Sequence, residues 1–459
     1  MPYQRETASK GGHSDLVRNP DIQAFLNDCA FLKQPSDDEA RSIASAYLPA
    51  PTSGSLPLKV VASDASPYAD PIDDKFPSTQ VGYVKASLVL VDVRQFQDLS
   101  PPGSRFVDPF KLAALHRNAD SYSFALPGSN IRYKGSASVK DGFRRAVWDQ
   151  LSDERTSFHP HSRDFTVRGT LLALENGEAG LKKCPSCSAV HPQGLAHDLF
   201  VFTAGREVQV CPACNAEVYL TDTLRVHEQV TDYGDCTSAV TRFMNAVEQL
   251  LIATFVRMLA EHHPQILAEM AFILDGPLAV FGQPASISFT LVSFYHRIRE
   301  ELRRRGLRAP IVIGLQKDGQ VMEHARSIAR FLPNGTFHVV DDEYRDAYIN
   351  SVNNENFGTE TYFGQDFIFK TEKGNIFTVG LPYPAAKKSG TKEFSRLKSD
   401  LTRYGSDLGR AFDVVRHFEL DLYENAVIPV ALAHRHASIS LKPGGKVLDL
   451  VTKNGLVGS

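Results

Sequence analysis

Apolar positions along the chain recur with two periods, and the changes of period mark its elements. LPLKVVASDAS, residues 56–66, reads as a strand running into a turn, with Asp64 at the strand's end. Gln80 to Phe96, rich in Val and Leu, reads as a second strand or a hairpin. Val139 to Leu151 has helical spacing, and Phe165 to Leu174 returns to a strand pattern. Asp235 to His262 predicts a long amphipathic helix, and MAFILDGPL an apolar strand ending at Asp275 and Gly276. Helix, strand and helix are expected over Ser286 to Arg305, Ala309 to Leu315 and Met322 to Phe331. YFGQDFIFK and NIFTVGLPY flank the turn EKGN as a β-hairpin, and Phe394 to Phe418 predicts one further helix. Strands first and strand–helix alternation afterwards predict an α/β fold with a mixed sheet flanked by helices.

Two stretches stand apart from this pattern. Residues 1–55 form a helical or partly ordered preface that ends in the Pro/Ser/Gly-rich segment Pro49 to Pro57. Residues 181–225 form a small cysteine-bearing insertion, which divides the α/β domain into 56–180 and 226–459.

That insertion carries the sharpest local signal. Cys184-Pro-Ser-Cys187 and Cys211-Pro-Ala-Cys214 are two CxxC turns separated by 23 residues, in which VFTAGREVQV supplies strand-like sequence. Each turn directs two thiolates to one point, and two turns complete a tetrahedral Zn²⁺ site. Four sulfurs leave no open position, so the zinc is expected to be structural, and His191 and His197 are bystanders. Cys29 and Cys236 have no close partners and read as buried apolar residues.

Composition narrows the rest. The chain has 459 residues, 42% hydrophobic and 22% charged, in the range of soluble globular proteins. The polar start MPYQRETASKGGHS does not resemble a secretory signal. The most apolar helical stretch, Ala246 to Ala260, is too short and too charged to span a bilayer, so a cytoplasmic protein without a membrane partner is expected. The net charge of −3 cannot attract DNA as a whole, so any such binding needs a local basic patch. RIREELRRRGLR, with six arginines against two glutamates, and KKSGTKEFSRLK are the two runs available; each is a backbone-tracking patch or a solvated helix face. With no GxxxxGK[ST] loop, ATP-driven movement of DNA has to come from another protein.

Carboxylates at the ends of neighbouring strands can converge on a divalent ion, and oxygen ligands suit Mg²⁺ or Mn²⁺. Asp64 and Asp275 have that placement, although each alone reads first as a strand-to-turn capping residue.

VVASDAS resembles the first motif of the NurA nucleases, an apolar strand leading to Asp-Gly-Ser. FILDGPL is similar to their second Asp motif, IVIGLQKDG to their strand ending in Lys, and PVALAHRHASI to their C-terminal Ala-His segment. These fall in family order between residues 58 and 439. The resemblance implies an RNase H-like fold, Mn²⁺- or Mg²⁺-dependent cleavage of DNA ends and a homodimer. It also implies partnership with a hexameric HerA-type ATPase, in DNA repair or anti-phage defence. Asp64 and Asp275 would be metal-binding carboxylates. The family's helix-borne glutamate falls on Glu248 in RFMNAVEQLL, with Glu261 as the other reading. Lys317 would orient the scissile phosphate, and His434, or His436 in its place, would ligate metal or carry a proton. The chain departs from the family at Ala65, where Gly is usual, at NAVIP, which lacks an aromatic residue before Pro429, and in the cysteine insertion. A second function class stays open beside the nuclease: a catalytically silent zinc-ribbon adaptor that binds DNA or a partner ATPase.

Overall fold

A computed structural model of the protein describes residues 12–29, 34–69, 71–73, 76–97, 119–159, 162–349, 358–419, 427–439, 448 and 451–452. Residues 1–11 of the expected preface lie outside them. The strands, in chain order, are β1 (Leu48–Pro49), β2 (Lys59–Tyr68), β3 (Pro71–Asp73), β4 (Phe76–Asp92) and β5 (Ala119–Pro127). Next come β6 (Glu178–Leu181), β7 (Phe200–Thr203), β8 (Val208–Val210) and β9 (Glu217–Tyr219). The last are β10 (Met270–Asp275), β11 (Ile311–Gln316), β12 (Thr336–Val339), β13 (Gly364–Lys370) and β14 (Ile376–Pro382).

The described strands outside 178–219 form one mixed sheet in the order β1-β12-β13-β14-β11-β10-β2-β4-β3, with β5 on the far side of β4. Its centre is parallel: β2, β10 and β11 run together, and β4 and β14 flank them antiparallel. Alternation divides each strand between two cores. Val60, Ala62, Ala271 and Ile273 pack against helices Ser406–Phe418 and Ile428–Ala437. Val61, Met270, Phe272 and Leu274 face the opposite side, under helices Val139–Leu151, Thr237–His262 and Ile287–Arg304. Helix Thr237–His262 is longer than its most apolar stretch and meets the length and hydropathy of a membrane span; 78% of that window is buried within the protein, as in a core helix.

The cysteine insertion folds as two hairpins, β6–β7 and β8–β9. VFTAGREVQV does not pair with itself as a ladder. Its halves belong to different hairpins and meet at the Thr203–Arg206 bridge and through Gln209, which donates to Val201 O at 2.6 Å. Part of the preface also joins the domain: β1 pairs with β12, and Ala40 and Ile43 of helix Asp37–Ser45 share a core with Met322 and Ile328.

Four expectations need correction. β2 does not turn after Asp64 but runs on to Tyr68, because β4 pairs with it continuously as far as Tyr83. Phe165 to Leu174 is not a strand. Thr166 caps a helix, Val167–Leu174, by accepting from the Gly169 amide, and Val167, Thr170, Leu171 and Leu174 form its buried face. Gly169 is required there, since a Cβ would stand 2.2 Å from the Asp164 carbonyl oxygen. The helix expected over Phe394 to Phe418 is broken into Lys392–Ser399, a 3₁₀ turn at Leu401–Arg403 and Ser406–Phe418; Gly405, at φ +53°, makes the corner. Cys29 is exposed, whereas Cys236 is buried as expected.

Candidate functional site

The parallel register sets two carboxylates side by side. Leu274 pairs with Ser63, so Asp275, the last residue of β10, stands next to Asp64 of β2. Both belong to the parity that faces helix Ile428–Ala437. That helix buries Ile428, Val430, Leu432 and Ala433 and carries His434 in its exposed last turn. His434 Nδ1 lies 2.8 Å from Asp64 Oδ2. Ligand atoms of Asp64, Asp275 and His434 all lie within 4.8 Å of one another.

On the opposite face Glu248 approaches from the middle of helix Thr237–His262. It is buried and accepts a hydrogen bond from Ser63 Oγ at 3.3 Å. Glu248 is not part of the three-residue group, although it is close enough to raise the charge density there. Burial, then the charges of Asp64 and Asp275, push its carboxyl well above the usual range. Burial and the Asp275 carboxylate also push Asp64 up, while His434 partly opposes them. Glu261 is exposed at the end of the same helix, outside the group.

Lys317 follows β11, on the same side of the sheet as Asp275, and donates to Asp275 Oδ2 at 2.7 Å. His436 stands near Lys85 and Arg435, which, with burial, hold its imidazole below the ordinary value. Lys85 was not legible as a site residue. It occupies one polar position in β4, and only the register Ser66–Lys85 brings it to this end of the sheet.

The donor set of two carboxylates and an imidazole fits a divalent cation of the Mn²⁺ or Mg²⁺ kind. Crowded carboxylates with raised proton affinity are what such an ion would relieve. Ser87, directly opposite Asp64 in the β2–β4 ladder, adds a buried hydroxyl with no partner among the described residues.

The cysteine site is built from two copies of one turn. Cys184 N donates to Ala189 O at 2.8 Å and Cys211 N to Ala216 O at 2.9 Å; Ser188 and Asn215 follow in left-handed conformation, at φ 61° and 60°. Cys184 Sγ to Cys214 Sγ and Cys187 Sγ to Cys211 Sγ are both 3.8 Å. A tetrahedral site with Zn–S bonds of about 2.3 Å requires sulfurs about 3.8 Å apart, so the four thiols fit zinc. Burial pushes the Cys184 thiol up to about 12. For Cys211, burial is the largest influence and acts upward, but the amides of Ala213 and Cys214 and the neighbouring thiols together bring it down to about 7. His191 and His197 pack against each other with their rings tilted by 40° and ring centroids 5.4 Å apart, outside the four-sulfur group.

Of the two basic runs, KKSGTKEFSRLK turns two of its five cations inward. Lys388 is buried against Ser288 and the Tyr362 carbonyl, and Lys398 is buried in an ion pair with Asp342 at 2.6 Å. Neither is placed to track a DNA backbone.

No family model matches the chain, and no curated protein matches it. Among solved structures it is similar to the crystal structure of the NurA nuclease from Sulfolobus solfataricus, with 10% sequence identity, a TM-score of 0.37, and coverage of 98% of this chain and 97% of that one. Overlap of that degree is a likeness in outline and bears none of the argument that follows.

Proposed function

We propose that the protein is a metal-dependent DNA nuclease of the NurA type. The observation that carries this reading is the meeting of Asp64, Asp275 and His434, residues drawn from three distant parts of the chain, within 4.8 Å at one end of the parallel strands. They are the residues on which the sequence resemblance to that family falls.

A divalent ion bound there supplies Lewis-acid polarisation of the scissile phosphate. Asp64 and Asp275 would hold it, rigidly, because both are fixed by the ladder. Lys317 Nζ, 2.7 Å from Asp275, adds a positive charge for a phosphoryl oxygen. With ionised Asp64 accepting from Nδ1–H, the exposed His434 ring exchanges its proton at Nε2. Glu248 secures the sheet from behind through Ser63 and sets the local charge. The four-cysteine ribbon holds Zn²⁺ structurally, about one ion per chain.

The same reading assigns a homodimer working with a HerA-type hexameric ATPase, with DNA as the shared substrate; the sequence resemblance supports it. Incubating a labelled duplex with the protein and Mn²⁺ tests the chemistry. Cleavage that requires the divalent ion is expected. Intact duplex under all divalent ions, with the protein still bound to DNA, would favour the silent adaptor instead.

A further inference from the structure

The arginine-rich run Arg297–Arg308 is not absorbed by the metal site. Three of its residues, Arg299, Arg303 and Arg308, enter the wall of a cavity of about 540 Å³ together with Arg403 and Arg410. The cavity opens where β11 begins and just beyond the end of β14, lined there by Ala309 and Pro384. Lys317, just past the other end of β11, and Asp275, at the end of the neighbouring β10, lie about 20 Å away along six residues of β11.

Five arginines line this cavity against two carboxylates, Glu300 and Asp407, and Asp400 beside it stands 3.5 Å from Arg403. Asp407 already pairs with both Arg299 and Arg410, and Glu300 stands 3.8 Å from Arg303. Arg308 donates to the neutral hydroxyl of Ser55 at 3.2 Å. Arg410 is itself buried in the cavity's inner wall, where it donates to Ala309 O at 2.9 Å and pairs with Asp407 at 3.2 Å. Helix Ser406–Phe418 starts in the same wall behind Gly405, which offers no capping side chain.

We infer that this cavity is a second, anion-binding site that takes a compact polyphosphate, a pyrophosphate or the phosphate tail of a nucleotide. Guanidinium groups converging from three chain segments match multidentate phosphate recognition. The volume falls in the range of about 300–1,000 Å³ used by small ligands. A duplex backbone presents its charges along a convex ridge, at about one per 1.7 Å of axis, and does not fit a concave pocket. Behind the arginines the crevice bounded by Tyr295, Tyr383 and Tyr404 holds only about 40 Å³, so the protein encloses phosphates and not a base. The site is independent of the nuclease reading, sharing no residue with it.

Calorimetric titration with sodium pyrophosphate tests the assignment on the full chain. Wild type and Asp275→Asn should bind one equivalent with equal affinity. Arg303→Ala/Arg308→Ala, which alters two exposed side chains, should bind about tenfold more weakly or worse. Arg403→Gln gives an independent loss if that double variant does not fold. No saturable binding up to about 1 mM pyrophosphate, or unchanged affinity in the arginine variants, overturns the site. So does binding that Asp275→Asn abolishes, which locates the anion at the metal site. Displacement of pyrophosphate by a short duplex overturns the small-ligand assignment.

Discussion

The molecule carries two sets of side chains arranged for metal, and they are built in opposite ways. The cysteine set draws four ligands from residues 184 to 214, and each pair sits on the same turn with the same closing hydrogen bond and the same left-handed residue after it. The carboxylate set draws three side chains from β2, β10 and a helix near the C-terminal end, with Asp64 and His434 370 residues apart. Turn chemistry alone shapes the first. The second has no shape until the sheet register is fixed, because a slip of one residue would send Asp64 to the opposite face. A four-thiolate set with every position filled suits structure, and a mixed set reached by solvent through the exposed His434, with a neighbouring cation, suits chemistry.

The sharpest way to break this comparison is to remove charge from the register-built set. Asp275→Asn and Asp64→Asn keep the shape of each side chain and lose the ligand charge. Each should lower Mn²⁺-dependent duplex cleavage by about a thousandfold or more, several kcal/mol on the barrier. The thermal transition and zinc content should be unchanged. Cleavage at the wild-type rate in either variant would move the active site elsewhere.

The same contrast explains what the sequence disclosed. The grouping of the CxxC pairs was legible because spacing is their geometry. Apolar strands and long helices were legible wherever one period held, as at Met270–Asp275 and Val139–Leu151. Asp64 was found but misplaced at a strand end, since only its partner β4 decides how far β2 extends. Glu248 was reached only through the family resemblance, and nothing local told that it faces Ser63 from the other side of the sheet. Lys85 and the arginine cavity depend on register and helix packing, which one sequence does not display.

A second test asks whether the locally built site stands alone. Arg144, buried on helix Val139–Leu151, donates to both carboxylate oxygens of Asp222, to Ser186 Oγ in the first cysteine turn and to Glu217 O beyond the second. It clamps both turns onto the domain. Arg144→Ala leaves Asp222 buried without its partner and should cost about 3–5 kcal/mol in urea unfolding. Zinc release to a chelator should quicken, and duplex cleavage at low temperature should persist. Cys184→Ser should lower the zinc content from about one per chain. Zinc held as tightly in Arg144→Ala as in wild type would show that the turns need no clamp.

The finest test uses protons, because the two regions should fail in opposite directions of pH. His227, beside Asp222 in the ribbon's support, is lowered from 6.5 to about 4, chiefly by burial, with Asp222 opposing. The folded state there binds fewer protons than the unfolded one. Its contribution is complete above 6.5 and is lost as pH falls toward 4. A shift of that size corresponds to at most about 3 kcal/mol. Glu248 is raised from 4.5 by burial and by Asp64 and Asp275, so its contribution is complete below 4.5 and is lost as pH rises through the folded value. Urea midpoints of protein without added divalent ions should therefore decline on both sides. His227→Gln should flatten the acid limb and leave the neutral limb intact. Glu248→Gln should do the reverse, and Mn²⁺ should lift stability on the neutral limb, where the carboxylates are charged. If His227→Gln leaves the acid limb unchanged, the ribbon's thiolates set that limb instead. If Mn²⁺ fails to lift the neutral limb, Asp64 and Asp275 are not its ligands, and the resemblance between the two sites ends at their proximity to acid or sulfur.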